Sequence, residues 1–144
     1  MPIGDSAVGS TPGGFVLNKT AARQVLLLSA LFGFFSVVLG AFGAHGLKPI
    51  LDEKSLAIYR TGVEYQYYHT FALALVGILG LHFQEEWLRV CGFLFVAGIF
   101  LFSGSLYILA LTGVRTWGMV TPVGGILFLA GWGGLIYGLW RHRF

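Results

Sequence analysis

Four stretches of this chain, residues 25–44, 65–83, 90–114 and 116–140, are long and apolar enough to cross a lipid bilayer. A bilayer core takes about 20 apolar residues per helix, and lipid offers no partner to a backbone that does not bond to itself, so such stretches must be helical. Of the 144 residues only 10% are charged, and the mean hydropathy is +0.80; a soluble domain carries about 25% charged residues. The expected fold is therefore all-α, an integral membrane four-helix antiparallel bundle filling residues 24–144 as one domain. Residues 1–23, rich in Gly, Ser and Pro, read as a flexible tail. The first apolar run exceeds the roughly 7 to 15 residues of a secretory signal core, which makes it a retained helix.

Four spans put both termini and the "QEEWLR" loop on one side, with "KPILDEKSLAIYR" and "TGVRT" on the other. Lys19, Arg23, Arg89, Arg141 and Arg143 then face Lys48, Lys54, Arg60 and Arg115, and the basic residues flanking the first and last spans favour cytoplasmic termini. Trp87, Trp117 and Trp140 fall at span ends, the preferred depth of indole rings. A net charge of +3 suits attraction to anionic headgroups and gives no support to a nucleic-acid partner. The single cysteine, Cys91, excludes an intramolecular disulfide and reads as a small buried apolar residue.

Asp52 is placed to cap a short interfacial helix between the first and second spans that continues into the second span, with Leu56, Tyr59, Val63 and Tyr67 at helical spacing and Gly62 as the place for a bend. Gly113 and Pro122 are suited to end one helix and begin the next. In lipid, helices associate largely through small residues that let backbones approach. The stripes Ser36, Gly40, Ala44 and Ala130, Gly134, Gly138 fit that role, as does Gly104 between Ser103 and Ser105. Trp132 stands at the depth of these serines. It is expected to pack on the third helix and donate its indole N–H to one of them, unless the serines bond back to their own helix and Trp132 faces lipid.

One membrane face gathers a mixed polar cluster: His45 at the end of the first span, Glu64, Tyr65, Tyr68 and His69 at the start of the second, and Arg115 from the third loop. As a haem or metal site, His45 and His69 would lack the remaining ligands that zinc usually takes. Transport would call for ionisable residues at mid-membrane, and the spans have no Asp, Glu, Lys or Arg there. An intramembrane hydrolase would need Ser103 beside a base. The cluster reads best as structural, His45 and His69 bonding helix ends and joining the first two helices while Glu64 pairs with Arg60 or Tyr68 along α-helical spacing.

"LGAFGAHGL", "YRTGVEYQYYHTFALALVGIL", "FSGSLYILALTG" and "TPVGGILFLAGW" stand in this order between residues 39 and 132. Together they resemble a family of small multi-pass membrane proteins, domain of unknown function 423, which includes bacterial inner-membrane proteins and the eukaryotic transmembrane protein 256. His45, Gln66, His69, Gly104, Pro122 and Trp132 are the motif positions here. The resemblance implies about four helices in a bacterial plasma membrane and no catalytic residue, substrate or cofactor. The resulting expectation is a non-enzymatic membrane protein without a cofactor, acting through packing against lipid, another membrane protein or a second copy. A small transporter or channel is the alternative, and a haem or metal protein using His45 and His69 the third.

Overall fold

The computed structural model describes residues 18–141. Helix α1, Lys19–Phe42, starts at Asn18, whose side chain accepts the Ala21 N–H at 2.8 Å. It continues into a π-helical turn, Gly43–Leu47. Helix α2 runs from Glu53 to His82. Helix α3, Glu86–Gly98, passes through a second π-helical turn, Ile99–Gly104, into α4, Ser105–Thr112, so that residues 86–112 form one rod. Gly113 ends it in the left-handed region at φ 69°, its N–H bonded to the Leu109 carbonyl. A 3-10 turn, Arg115–Met119, leads into α5, Thr121–Arg141, with Pro122 in its first turn, where a missing N–H costs nothing.

Several expectations change. Residues 1–17 of the anticipated tail lie outside the described residues, but Lys19–Arg23 are helical and Ala22 is 0% exposed in the core. The helix after Pro49 does continue into the expected second span, but without a bend: α2 runs unbroken for 30 residues through Gly62. That glycine serves close approach, because a Cβ there would lie 2.8 Å from the Tyr107 ring. Among the described residues three helices, not four, are long and apolar enough to cross a membrane, Lys19–Leu47, Glu86–Thr112 and Arg115–Arg141. The exception, α2, carries Glu53, Lys54, Arg60, Glu64 and Gln66 in its first half and His69 just past its middle, and becomes continuously apolar only from Phe71.

Asp52 does cap α2, its carboxylate accepting the Ser55 N–H at 2.7 Å. That hydrogen bond holds the carboxyl below its ordinary value of 3.8. A lowered pKa in the folded chain means that the cap stabilises fully above the ordinary carboxylate range and is lost as the pH falls through the folded value. Asp52→Asn, which keeps an acceptor without a titrating group, is expected to flatten the acid limb of a thermal-melt profile that wild type shows. An unchanged acid limb would count against the cap.

Packing between α3–α4 and α5 is a zipper of aromatic rings against glycines. A Cβ on Gly98 would meet Phe128 at 2.5 Å, on Gly131 Phe95 at 2.7 Å, and on Gly138 Trp87 at 2.5 Å. On Gly124 it would run into the backbone of Phe102. Residues 124, 128, 131, 135 and 138 are the buried positions of α5, and their alternation of four and three is the seam spacing of helices packed side by side. The anticipated stripe is therefore only partly the packing stripe. Gly138 is buried and Gly134 meets Cys91 Sγ, but Ala130 is exposed. On α1, Ser36 is 1% exposed and bonds back to the Phe32 carbonyl at 2.8 Å. Gly40 faces Val63, while Ala44 is exposed. Gly104 has nothing within 4 Å of where a Cβ would stand, so it makes no close approach.

Candidate polar core of the bundle

Helix α2 turns one face inward along Leu56, Tyr59, Gly62, Gln66, His69, Leu73, Val76 and Gly80. This register places two polar side chains, 4% and 6% exposed, where a bundle normally keeps leucine. Each is bonded to neighbouring helices. Gln66 Nε2 donates to the Phe32 carbonyl of α1 at 3.1 Å, and its Oε1 accepts the Tyr107 hydroxyl of α4 at 2.9 Å. One amide thus ties three rods. Tyr59 donates to the Leu39 carbonyl at 3.0 Å, and Ser29 to the Thr70 carbonyl at 2.9 Å. Along these bonds α1 numbers fall as α2 numbers rise.

His69 is the centre of the second group. Its ring lies parallel to Phe128, centroids 3.4 Å apart and planes 5° apart. Nδ1 is 2.7 Å from the Tyr65 carbonyl, which can only accept, so Nδ1 carries the proton. Nε2 of the neutral ring is then an acceptor, and Trp132 Nε1–H points at it from α5 at 3.3 Å. The two partners select one tautomer and leave neither ring nitrogen free for another ligand.

This corrects two expectations. Trp132 does pack on the third rod, its ring 5.4 Å from Phe95, but its donor goes to His69 and not to Ser103 or Ser105. Ser105 bonds back to the Phe102 carbonyl at 2.9 Å, as the alternative had it, and shares a 2.7 Å hydrogen bond with Thr121, whereas Ser103 Oγ is buried and has no partner among the described residues. Among the described residues no base stands within hydrogen-bond reach of that hydroxyl. Its isolation gives an expected outcome: Ser103→Ala, which removes an unpaired buried hydroxyl, should leave stability unchanged or raise it by about 1 kcal/mol. A clear loss of thermal stability in detergent would show that the hydroxyl is in fact bonded.

His45 and His69 do not meet. Phe32, which Gln66 reaches, lies thirteen residues before His45 on α1, about 20 Å along a helix. His69 lies one turn of α2 further still from that end. His45 is exposed in the π-helical turn, where Gly43 makes room for the Tyr59 ring; a Cβ there would stand 2.7 Å from it. Of the glycines in "GAFGAHG", Gly43 seats Tyr59 of α2 against the end of α1 and Gly40 faces Val63, while His69 plays no part. Glu64 accepts the Tyr68 hydroxyl at 2.6 Å, the helix-surface pair expected of it. Tyr65 stacks on Phe102 at 4.5 Å. Arg115 is exposed in the 3-10 turn beyond α4, whose Tyr107 ring is 5.1 Å from Tyr59. That places it toward the His45 end and away from His69. Among the described residues no three His, Cys, Asp or Glu side chains come together as a metal-ligand set.

The family described as "Protein of unknown function (DUF423)" matches residues 39–125 of this chain. A UPF0382 membrane protein of Haemophilus influenzae is 46% identical over 121 residues, covering 84% of this chain and 97% of the relative. The UPF0382 membrane protein SH2409 of Staphylococcus haemolyticus is 43% identical over 112 residues, 76% of this chain and 89% of the relative. The UPF0382 inner membrane protein YgdD of Escherichia coli K12 is 41% identical over 122 residues, 85% of this chain and 93% of the relative. No solved structure matches.

Proposed function

The chain belongs to the DUF423 family, whose relatives bear the names of membrane and inner-membrane proteins, and from that premise we propose that it is a four-span bacterial inner-membrane protein acting without catalysis through its outward faces. The observation that carries this reading is the closure of the polar core. Gln66, His69, Tyr107 and Trp132 bond to one another or to backbone, so the polar atoms of these four are consumed in holding the rods together. A buried polar group in a bundle is most useful as a device of this kind, where a wrong register would leave it unpaired in lipid.

The fourth span is α2. Its first turns, Glu53–Arg60, stand at headgroup level. Its deeper polar residues, Gln66 and His69, turn inward and are shielded by the other rods, which lowers the cost of carrying them through the bilayer. Adjacent rods then run antiparallel. The separation of His45 from His69, with both nitrogens of His69 engaged, speaks against a haem or metal pair and against a histidine pathway from the surface inward. The outward faces are strongly apolar: on α1, Leu27 is 68%, Phe34 64% and Val37 59% exposed, and on α5 Leu129 is 74%. Such surfaces suit acyl chains, a neighbouring membrane protein or a second copy.

Topology tests the reading. Reporter fusions after Arg141 and before Lys19 are expected on the same, cytoplasmic side, with a reporter at Pro49 on the other. A reporter at Pro49 on the same side as Lys19 would remove the first span, and opposite locations for the two ends would leave α2 outside the membrane.

A further inference from the structure

The outer side of the α1–α2 seam carries two grooves that meet at Tyr67. The upper, about 330 Å³, has Gly40, Gly43 and Ala44 as its floor and Arg60, Glu64 and Tyr68 along its wall. The lower, about 440 Å³, has Ala30 and Gly33 as its floor between Phe34, Val37 and Phe71. Helical register makes them one channel, because 30, 33, 37, 40 and 44 on α1 and 60, 64, 67, 71 and 74 on α2 each advance by three or four residues. From Ala44 to Ala30 it runs about 21 Å. Its two ends differ in chemistry: charges and tyrosines at the α1 end near Lys48, small and apolar side chains toward mid-bundle.

The charges at the polar end are not satisfied by each other. Arg60 and Glu64 stand one turn apart, the spacing of an ordinary helix-surface ion pair. Yet Glu64 gives one carboxylate oxygen to Tyr68, and among the described residues Arg60 has no ion-pair partner. A guanidinium and a carboxylate oxygen thus face the same groove, beside the exposed Tyr67 and Tyr68 rings.

We infer that this groove holds one phospholipid with a phosphoethanolamine headgroup. Guanidinium matches phosphate, and the primary ammonium donates to the free oxygen of Glu64 with an aromatic face beside it. A choline headgroup has no N–H for Glu64, and a glycerol headgroup brings no cation. One acyl chain lies along Ala30 and Gly33, where small floor residues leave the seam open. This assignment rests on the four-span reading, which places the α1 end at headgroup depth, and names the lipid that one outward face takes.

The test uses the full chain in mild detergent, with phosphatidylethanolamine, phosphatidylcholine and phosphatidylglycerol of identical acyl chains added in equal amounts and bound lipid read by native mass spectrometry. Phosphatidylethanolamine is expected to exceed each of the others about tenfold, the scale of one charge-assisted hydrogen bond. Glu64→Gln keeps an acceptor for Tyr68 and should abolish the preference over phosphatidylcholine, while Arg60→Gln should lower binding of all three. Inorganic phosphate in excess should not displace the lipid. Equal adducts of the three lipids in wild type, a preference unaltered by Glu64→Gln, displacement by phosphate, or a lipid-free dimer would each overturn the inference. The reporter fusions separate a failure of the lipid site from a failure of the span assignment.

Discussion

Gly124→Ala should destabilise the bundle by about 3 kcal/mol, the upper end of what one overpacked methyl group costs. The obstacle is the backbone of Phe102, N and Cα as well as Cβ, so no side chain can rotate away and α5 must move off the π-helical turn between α3 and α4. Every ring seated further along the seam, Phe128 on Gly98, Phe95 on Gly131 and Trp87 on Gly138, then loses contact with its glycine. Lipid does not restore the loss, since separated helices gain no hydrophobic penalty that would drive them back together. Gly133→Ala is the control, because nothing lies within 4 Å of a Cβ at that position. Helix propensity alone should make it neutral or up to about 1 kcal/mol stabilising. Denaturing-detergent titrations followed by circular dichroism measure both, and equal stability of the two variants would mean that the seam between α3 and α5 is looser than the glycine contacts indicate.

His69→Ala is expected to cost about 3 kcal/mol, within the range of large-to-small core truncations. It removes a ring in face-to-face contact with Phe128 and orphans the Trp132 N–H. Trp132→Phe keeps most of the ring and gives up only the donor, so about 1 kcal/mol is expected, the scale of interhelical hydrogen bonds in membrane proteins. A double-mutant cycle over the pair isolates the bond itself. With His69→Phe as the partner substitution, which preserves ring packing, the coupling should be about 1 kcal/mol. Additive losses would mean that the Trp132 to His69 contact is incidental and that the helices are held by packing alone.

The helices themselves were legible in the sequence because hydrophobic length and glycine punctuation are local signals: Asp52 caps, Gly113 stops, and Pro122 begins its helix as their chemistry requires. The inward face of α2 was not. Leu56 and Tyr59 lie on it, but Val63 and Tyr67, which continue an apolar stripe on paper, fall beside it, and Tyr67 is 40% exposed. The true stripe passes through Gly62, Gln66 and His69, residues that a search for apolar periodicity passes over. A heptad count starting from Tyr59 without regard to polarity finds it, as 59, 62, 66, 69, 73, 76 and 80.

The same inversion explains the histidines. His45 and His69 look like neighbours when spans are drawn to end where hydropathy falls, whereas α2 begins at Glu53, four turns before His69, and carries it deep into the bundle. Tyr107 and Gln66 escaped the candidate list for a related reason, since a hydrogen bond between residues 41 positions apart leaves no local trace. On α5 the buried seam glycines 124, 131 and 138 recur at seven, whereas spacing by four reaches Gly138 and Gly134, which meets Cys91, but misses Gly124 and Gly131 and adds the outward Ala130.

The most direct measurement on the central claim, that the buried polar groups serve to hold the bundle and are not open to a ligand, is the imidazole ¹⁵N spectrum of His69 in the full chain purified in mild detergent at neutral pH. A neutral ring is expected, with its proton on Nδ1 and an unprotonated, hydrogen-bonded Nε2, altered on substitution of Trp132 by Phe. An Nε2 signal shifted or broadened by a bound metal or haem iron, or a proton found on Nε2, would contradict it and make His69 a site of chemistry.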